Sequence, residues 1–216
     1  MIRAKHNRFY VLFFDCLMRV WLHLAFRQIR IHGDIDDQGG SILLLSNHFS
    51  WWDGFIARYT NKKKLGRKLF VMMLEEQLRA NIVLRKLGAF SIRKNSRSAL
   101  ESLNYAASIL KNPRHLLLLF PQGRFQSIHT RPLSFEKGWV KLVQQAPNSM
   151  QLIFMACLTD YFAHRRPVLN VYLSKEPLDP FLELATPAEI AQKIEQRYNA
   201  FFSSCVACQN SKANQA

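Results

Sequence analysis

Two shortages set the first limits on this chain of 216 residues: four cysteines in all, and fifteen acidic side chains against thirty Lys and Arg. Cys16, Cys157, Cys205 and Cys208 are too few and too scattered for a disulfide scaffold in a chain of this size. Cys205-Val-Ala-Cys208 has neither a second pair nor clustered histidines to complete a zinc site, so no metal is expected, and a reducing compartment fits this cysteine usage. The scarcity of acid leaves a formal charge of +15, which points to anionic partners: nucleic acid, an acidic lipid surface or phosphorylated substrates. The sequence has no internal repeat and no linker, and no small-residue cleavage site follows its first apolar run. A hydrophobic share of 49%, with 12% aromatic, excludes disorder and can fill the core of one domain.

That first run, Phe9 to Phe26, is interrupted by Asp15, Arg19 and His23 alone, spaced by four. On a helix they form one polar stripe, with Asp15 and Arg19 as a favourable pair. An Asp and an Arg near a bilayer centre would cost about 2.5 to 3.5 kcal/mol each, nearly cancelling the apolar gain. The expectation is therefore an amphipathic helix lying in the membrane interface, with packing on its own domain as the alternative. Residues 1–32 are read as this helix and a lead-in strand, 33–204 as the main domain and 205–216 as a polar tail, frayed from Gln209.

Short apolar runs then alternate with helical patterns. Strands are expected at 29–31, Ile42 to Leu45, Leu69 to Met73, Ala89 to Arg93, Leu116 to Phe120, Leu152 to Leu158 and Val168 to Leu173. Helices are expected at 54–59, Glu75 to Leu87 closed by Gly88, Arg97 to Lys111 capped by Ser96, Glu136 to Gln145, and from a Thr186–Glu189 capping box to about Phe202. Asn61 to Lys68, with three consecutive lysines, reads as a solvated loop or as a basic surface for anionic lipid or an acidic carrier protein. The alternation gives an α/β fold with a largely parallel central sheet flanked by helices.

Polar groups collect where strands end. His48 follows the first buried strand, and Asp53 lies five residues on. Five residues of regular helix rotate by roughly 140°, so the two can meet only across a strand-to-helix turn. If they meet, Asp53 fixes the imidazole tautomer and leaves the other nitrogen as a general base. Arg93 and Lys94 follow the third buried strand, and Gln122, Gly123 and Arg124 the fourth. In a parallel sheet these positions share one edge, where α/β proteins bind ligands.

At these residues the sequence resembles the glycerol-3-phosphate and 1-acylglycerol-3-phosphate (lysophosphatidate) acyltransferase family, as a divergent member. Asn47-His48 with Asp53 matches the family's first block, and Gly88-Ala89-Phe90-Ser91-Ile92-Arg93 fits its second. Phe120-Pro121-Gln122-Gly123-Arg124-Phe125 keeps Phe, Pro and Gly of the third block Phe-Pro-Glu-Gly-Thr-Arg and changes the other three positions. Leu152 to Ala156 stands in for a fourth block without its proline.

The resemblance implies an O-acyltransferase in which His48, held by Asp53, takes the proton of a lipid hydroxyl as it attacks a thioester of coenzyme A or acyl carrier protein. No Gly-x-Ser-x-Gly elbow is present to supply a serine nucleophile, and no cofactor is implied. Backbone N–H groups near Gly123 or at the helix start after Asp53 are the candidate oxyanion donors. Asn47, Arg93, Gln122, Gly123 and Arg124 carry over as substrate contacts, with Arg93 as a phosphate or acceptor contact. The altered third block leaves the acceptor open beyond lysophosphatidate. The implied partners are an anionic membrane surface, the lipid acceptor and the thioester donor, not nucleic acid, at the cytoplasmic face of the cell membrane. A non-catalytic basic protein that binds membrane or nucleic acid, and a thioesterase using the same His48, are the rival readings.

Overall fold

The computed structural model describes residues 1–93, 97–145, 147, 149–183 and 186–213. Helix α1 (Arg8–Ala25) and strand β1 (Gln28–His32) are followed by β2 (Ile42–Ser46), α2 (Asp53–Thr60), β3 (Lys68–Leu74), α3 (Glu75–Ala80) and β4 (Ala89–Ile92). Then come α4 (Arg97–Leu110), β5 (His115–Leu119), α5 (Lys141–Gln144), β6 (Gln151–Asp160), β7 (Val168–Glu176), α6 (Asp179–Leu182) and α7 (Pro187–Ala213). One seven-stranded sheet has the order β1-β7-β6-β2-β5-β3-β4. The strands β6, β2, β5, β3 and β4 run parallel, while β7 is antiparallel to β6 and carries β1 parallel to itself.

The apolar runs lie where burial on both faces requires them. Leu43 and Leu45 face one core with Leu117, Leu119 and Phe154, covered by Leu103 and Leu110 of α4 and by Ile194, Tyr198 and Phe202 of α7. Ile42 and Leu44 face the other core with Leu116, Leu118 and Ile153, covered by Met18 and Leu22 of α1 and by Ile56 and Ala57 of α2. Ile42 to Leu45 are fully excluded from solvent, each worth about 1.5 to 3 kcal/mol of burial. Helices on both faces make the α/β layers expected for parallel strands.

Several expectations are corrected. Asp15 does not pair with Arg19. It turns inward to Arg58 Nε at 2.6 Å and Lys62 Nζ at 3.0 Å, joining α1 to α2. Among the described residues no helix is long and apolar enough to cross a membrane. The lysine run is not a plain solvated loop: Asn61–Leu65 extends α2 by one π-type turn that buries Asn61 and Leu65. Its cations are partly spent, with Lys64 on Asp34 at 3.1 Å and Arg67 on Asp37 at 2.6 Å.

The helix expected over 75–87 breaks at Asn81, whose backbone leaves the helical region and whose amide donates to the Gln77 carbonyl, and continues as a 3-10 segment, Ile82–Leu87. Gly88 closes it at φ +109, where a Cβ would stand 2.2 Å from the Leu69 carbonyl. Helix from Glu136 to Gln145 shrinks to a 3-10 turn at Gly138–Val140 and the short α5, because the Glu136 N–H is drawn to the Pro121 carbonyl. Thr186 and Glu189 form the expected reciprocal cap. The helix they open runs past Phe202 to Ala213, into the stretch expected as a polar tail, with Cys205 and Gln209 buried and Gln209 donating to Asp160. The Ser96 cap and Lys94 lie outside the described residues.

Candidate active site

β2 and β5 are neighbours and parallel, so the segments leaving their carboxyl ends meet. Immediately after β2, Asn47 is buried, and its amide donates to the Cys157 carbonyl at 2.9 Å while accepting from the Cys157 N–H at 2.8 Å. Both polar ends of Asn47 are thus spent on β6. Its expected substrate contact is replaced by a clamp that fixes where the next residue leaves the sheet.

That next residue is His48. Its Nδ1 lies 2.7 Å from Asp53 Oδ2. The same oxygen accepts from the backbone N–H of Phe49 at 2.8 Å and of Ser50 at 2.9 Å, and Ser50 Oγ donates to Oδ1 at 2.8 Å. Asp53 is completely buried, so its carboxylate is held by these four donors and by the first turn of α2, where an anion is favoured. A carboxylate can only accept, so Nδ1 carries the proton and Nε2 is left as the basic nitrogen. The turn solves the spacing problem: a tight connection from Phe49 to Trp52 folds Asp53 back under the imidazole.

The β5 end completes the support. Gln122 is 3% exposed, and its Oε1 accepts from the His48 N–H at 2.5 Å. Its Nε2 is buried with no hydrogen-bond partner among the described residues. The Gln126 N–H donates to the His48 carbonyl at 2.9 Å, so the backbone of His48 is held on both sides. Gly123 turns the chain at φ +63 and gives its N–H to the Phe120 carbonyl, which removes that group from the candidate oxyanion donors. Phe120 stacks on the imidazole at 4.1 Å and Phe125 covers it at 4.0 Å, leaving the His48 side chain 20% exposed.

Of the predicted site residues, His48, Asp53, Gln122 and Gly123 converge, with Asn47 beneath them. Arg124 is exposed and makes no hydrogen bond or ion pair within the described residues. Arg93 shares the edge but stands three strands away, roughly 14 Å at ordinary strand spacing. There its guanidinium binds Glu75 Oε1 at 2.8 Å beside Arg79, also at 2.8 Å. Hydrogen bonds from Arg79, then Arg93, hold the Glu75 carboxyl down at about 2.

Sequence reasoning missed Ser50, Phe120 and Phe125 as parts of the His48 setting, and Glu75 as the anchor of Arg93. Ser50 had a signal, standing three residues before Asp53 at a helix start; the aromatic pair had none, because its partner is 72 or more residues away in the chain. Burial, with the nearby Asp53 charge, pushes the Cys157 thiol well up, so this cysteine is no nucleophile. Among the described residues no group of His, Cys, Asp and Glu could hold a metal ion.

Comparisons with known proteins bear on the family. The family profile described as Acyltransferase matches residues 28–169, from β1 into β7. A 1-acyl-sn-glycerol-3-phosphate acyltransferase of Streptococcus pneumoniae (strain ATCC BAA-255 / R6) is 29% identical over 93 residues, which is 41% of this chain and 33% of that protein. The match thus spans about a third of the length of that curated relative.

Proposed function

The chain belongs to the acyltransferase family, and we propose that it moves a fatty acyl group from a thioester of coenzyme A or acyl carrier protein to a lipid hydroxyl, with His48 as general base. The observation that carries this reading is the His48–Asp53 pair at 2.7 Å, with the Asp53 side chain fully buried and the His48 side chain 20% exposed. Nε2 takes the proton of the acceptor hydroxyl as its oxygen attacks the thioester carbonyl. The tetrahedral intermediate expels the thiolate, which takes the proton back from the imidazolium. Asp53 stabilises the imidazolium between these steps and, with the Phe120 and Phe125 rings, holds the imidazole, while the clamps by Asn47 and Gln122 fix the backbone it projects from. No cofactor beyond the acyl donor is required.

The altered third block bears on the acceptor. Phe125 places a ring over His48 where the family pattern has an arginine, and Gln122 offers a neutral buried amide in place of a carboxylate. The acceptor hydroxyl therefore approaches along an aromatic wall, which suits a lipid whose phosphate, if it has one, sits away from the reacting oxygen, toward Arg79 and Arg93.

The outer face of α1 supports membrane association. With Asp15 turned inward, its outer face presents Phe9, Leu12, Phe13, Val20 and Leu24, flanked by Arg19 and His23. This face lies in the interface of the cytoplasmic side of the cell membrane, as a peripheral or monotopic attachment. The direct test is thiol release from a long-chain acyl thioester in the presence of lysophosphatidate and other lipid alcohols, with mass spectrometry of the lipid. Release that depends on the acceptor, with an acylated product, is expected. Release without an acceptor would make the protein a thioesterase, and no release with any acceptor would remove the reading.

A further inference from the structure

The lysine run is the most obvious basic feature of the sequence, but the fold places it at the start of β3, on the edge of the sheet opposite His48. There Lys62, Lys64 and Arg67 each have an aspartate partner. A second cationic group stands on the His48 edge. β6 runs parallel to β2 and continues five residues beyond the partner of Ser46, so the turn at 161–167 projects roughly 16 Å past the end of β2 on that edge. An open depression of about 300 Å³ lies beside this turn, lined by Arg27, Ala163, His164, Arg165 and Arg166. Arg166 donates to the His23 carbonyl at 2.7 Å and the Leu24 carbonyl at 3.4 Å, so the turn is fastened to the last turn of α1. The Arg27 N–H to the Pro167 carbonyl, at 2.9 Å, adds a second tie.

Two properties separate this group from an ordinary basic surface. Among the described residues none of its three arginines has a carboxylate partner, and the acid nearest in sequence, Asp160, is taken by Gln209. Its rim is aromatic and apolar: Tyr161 is 61% exposed, Phe162 40% and Leu24 67%, and Leu24 continues into the outer face of α1. Guanidinium forks match phosphate oxygens, and aromatic rings beside them match the boundary between headgroups and acyl chains. A soluble phosphate ligand would account for the arginines but not for rings turned to water.

We propose that the turn between β6 and β7, with the C-terminal end of α1, is a binding site for the headgroup phosphate of an anionic phospholipid, and that it seats the His48 edge against the membrane. The proposal rests on the membrane reading of α1 and adds to it a headgroup contact and an orientation. α1 alone fixes a line on the membrane; the projecting turn is a second point of contact. Together they bring the His48 edge of the sheet to the level where a membrane-embedded lipid hydroxyl emerges.

The test is sedimentation of the full chain with vesicles of phosphatidylcholine alone and with phosphatidylglycerol added. The variants are Arg27→Gln/Arg165→Gln, which spares the Arg166 ties, and Phe9→Ser/Phe13→Ser on α1. Circular dichroism and thermal unfolding confirm that each is folded. A juxtamembrane cation raises partition roughly fivefold, so the arginine variant should lose roughly 30-fold on anionic vesicles and nothing on neutral ones. Its turnover on a detergent-dispersed acceptor should match the wild type. The α1 variant should lose partition on both vesicle types. If the α1 variant loses binding and the arginine variant binds anionic vesicles as the wild type does, the headgroup site is refuted while the membrane reading stands. If the wild type binds neither vesicle, both fall. A raised KM for the thioester donor without vesicles, with unchanged vesicle binding, would assign the arginines to donor phosphates and overturn the proposal.

Discussion

Replacing Asp53 by Asn isolates the charge of the buried carboxylate from its shape. Three donors converge on Oδ2, namely His48 Nδ1, the Phe49 N–H and the Ser50 N–H, so the amide oxygen of Asn must take that position. The amide nitrogen then faces Ser50 Oγ, which can turn its lone pair to accept. The loop survives, and four charge-assisted hydrogen bonds become neutral ones. Each loses on the order of 1 kcal/mol, while burying an amide in place of a carboxylate recovers much of that, leaving a net destabilisation of about 1 to 3 kcal/mol. Catalysis suffers more. The imidazolium formed at each turnover loses the anion 2.7 Å from Nδ1, and kcat should fall about 10²- to 10⁴-fold. That corresponds to about 3 to 5.5 kcal/mol of barrier. KM for the thioester should hold, because the fully buried Asp53 touches no substrate. Steady-state thiol release, with urea unfolding in parallel, reads both quantities. A kcat within about threefold of the wild type in a folded variant would refute the assigned role; a raised KM with unchanged kcat would move Asp53 to binding. Asp53→Ala is less informative, since it strands buried N–H donors and should cost about 3 to 5 kcal/mol.

Gln122→Ala should leave the buried His48 N–H unpaired, lowering stability by about 1 to 3 kcal/mol and kcat by about tenfold, measured by urea unfolding and thiol release. Asn47→Ala removes both bonds to the Cys157 backbone and should cost about 2 to 4 kcal/mol, visible as a lower urea midpoint. Glu75, at about 2 when folded against an ordinary value of 4.5, supplies stability that is complete above pH 4.5 and lost as pH falls toward 2. Glu75→Gln should remove that part of the acid-unfolding slope. His6, lowered to about 4 chiefly by burial against its ordinary 6.5, gives the same sign in a higher window: full stability above pH 6.5, declining down to pH 4 and flat below. His6→Leu should lack the decline between those values when urea midpoints are compared across pH.

Strands were the most legible part of the chain, for a physical reason. A strand buried on both faces needs an unbroken apolar run, and Ile42 to Leu45, Leu116 to Leu119 and Leu152 to Leu158 have no competing pattern. Helices whose ends depend on distant groups were less so: Asn81 breaks one through its own local bonds, and Glu136 is pulled from another by the Pro121 carbonyl. The direction of β7 was hidden because periodicity carries no sign of strand direction. At the candidate site, the His48–Asp53 pairing was readable from spacing and the need for a turn. The roles of Asn47 and Gln122 were not, since both depend on partners 110 and 74 residues away. Asp15 misled because charge patterning along a helix shows which groups could pair locally, and the fold offered it Arg58 and Lys62 from the neighbouring helical segment.

The central claim is that Nε2 of His48 takes the proton of a lipid hydroxyl. It is tested most directly by His48→Ala, assayed for transfer of a radiolabelled acyl group from thioester to lipid acceptor, with thermal unfolding confirming the fold. The account predicts that labelled product disappears while thioester and acceptor still bind. A folded His48→Ala protein that forms the acylated lipid at the wild-type rate would contradict it.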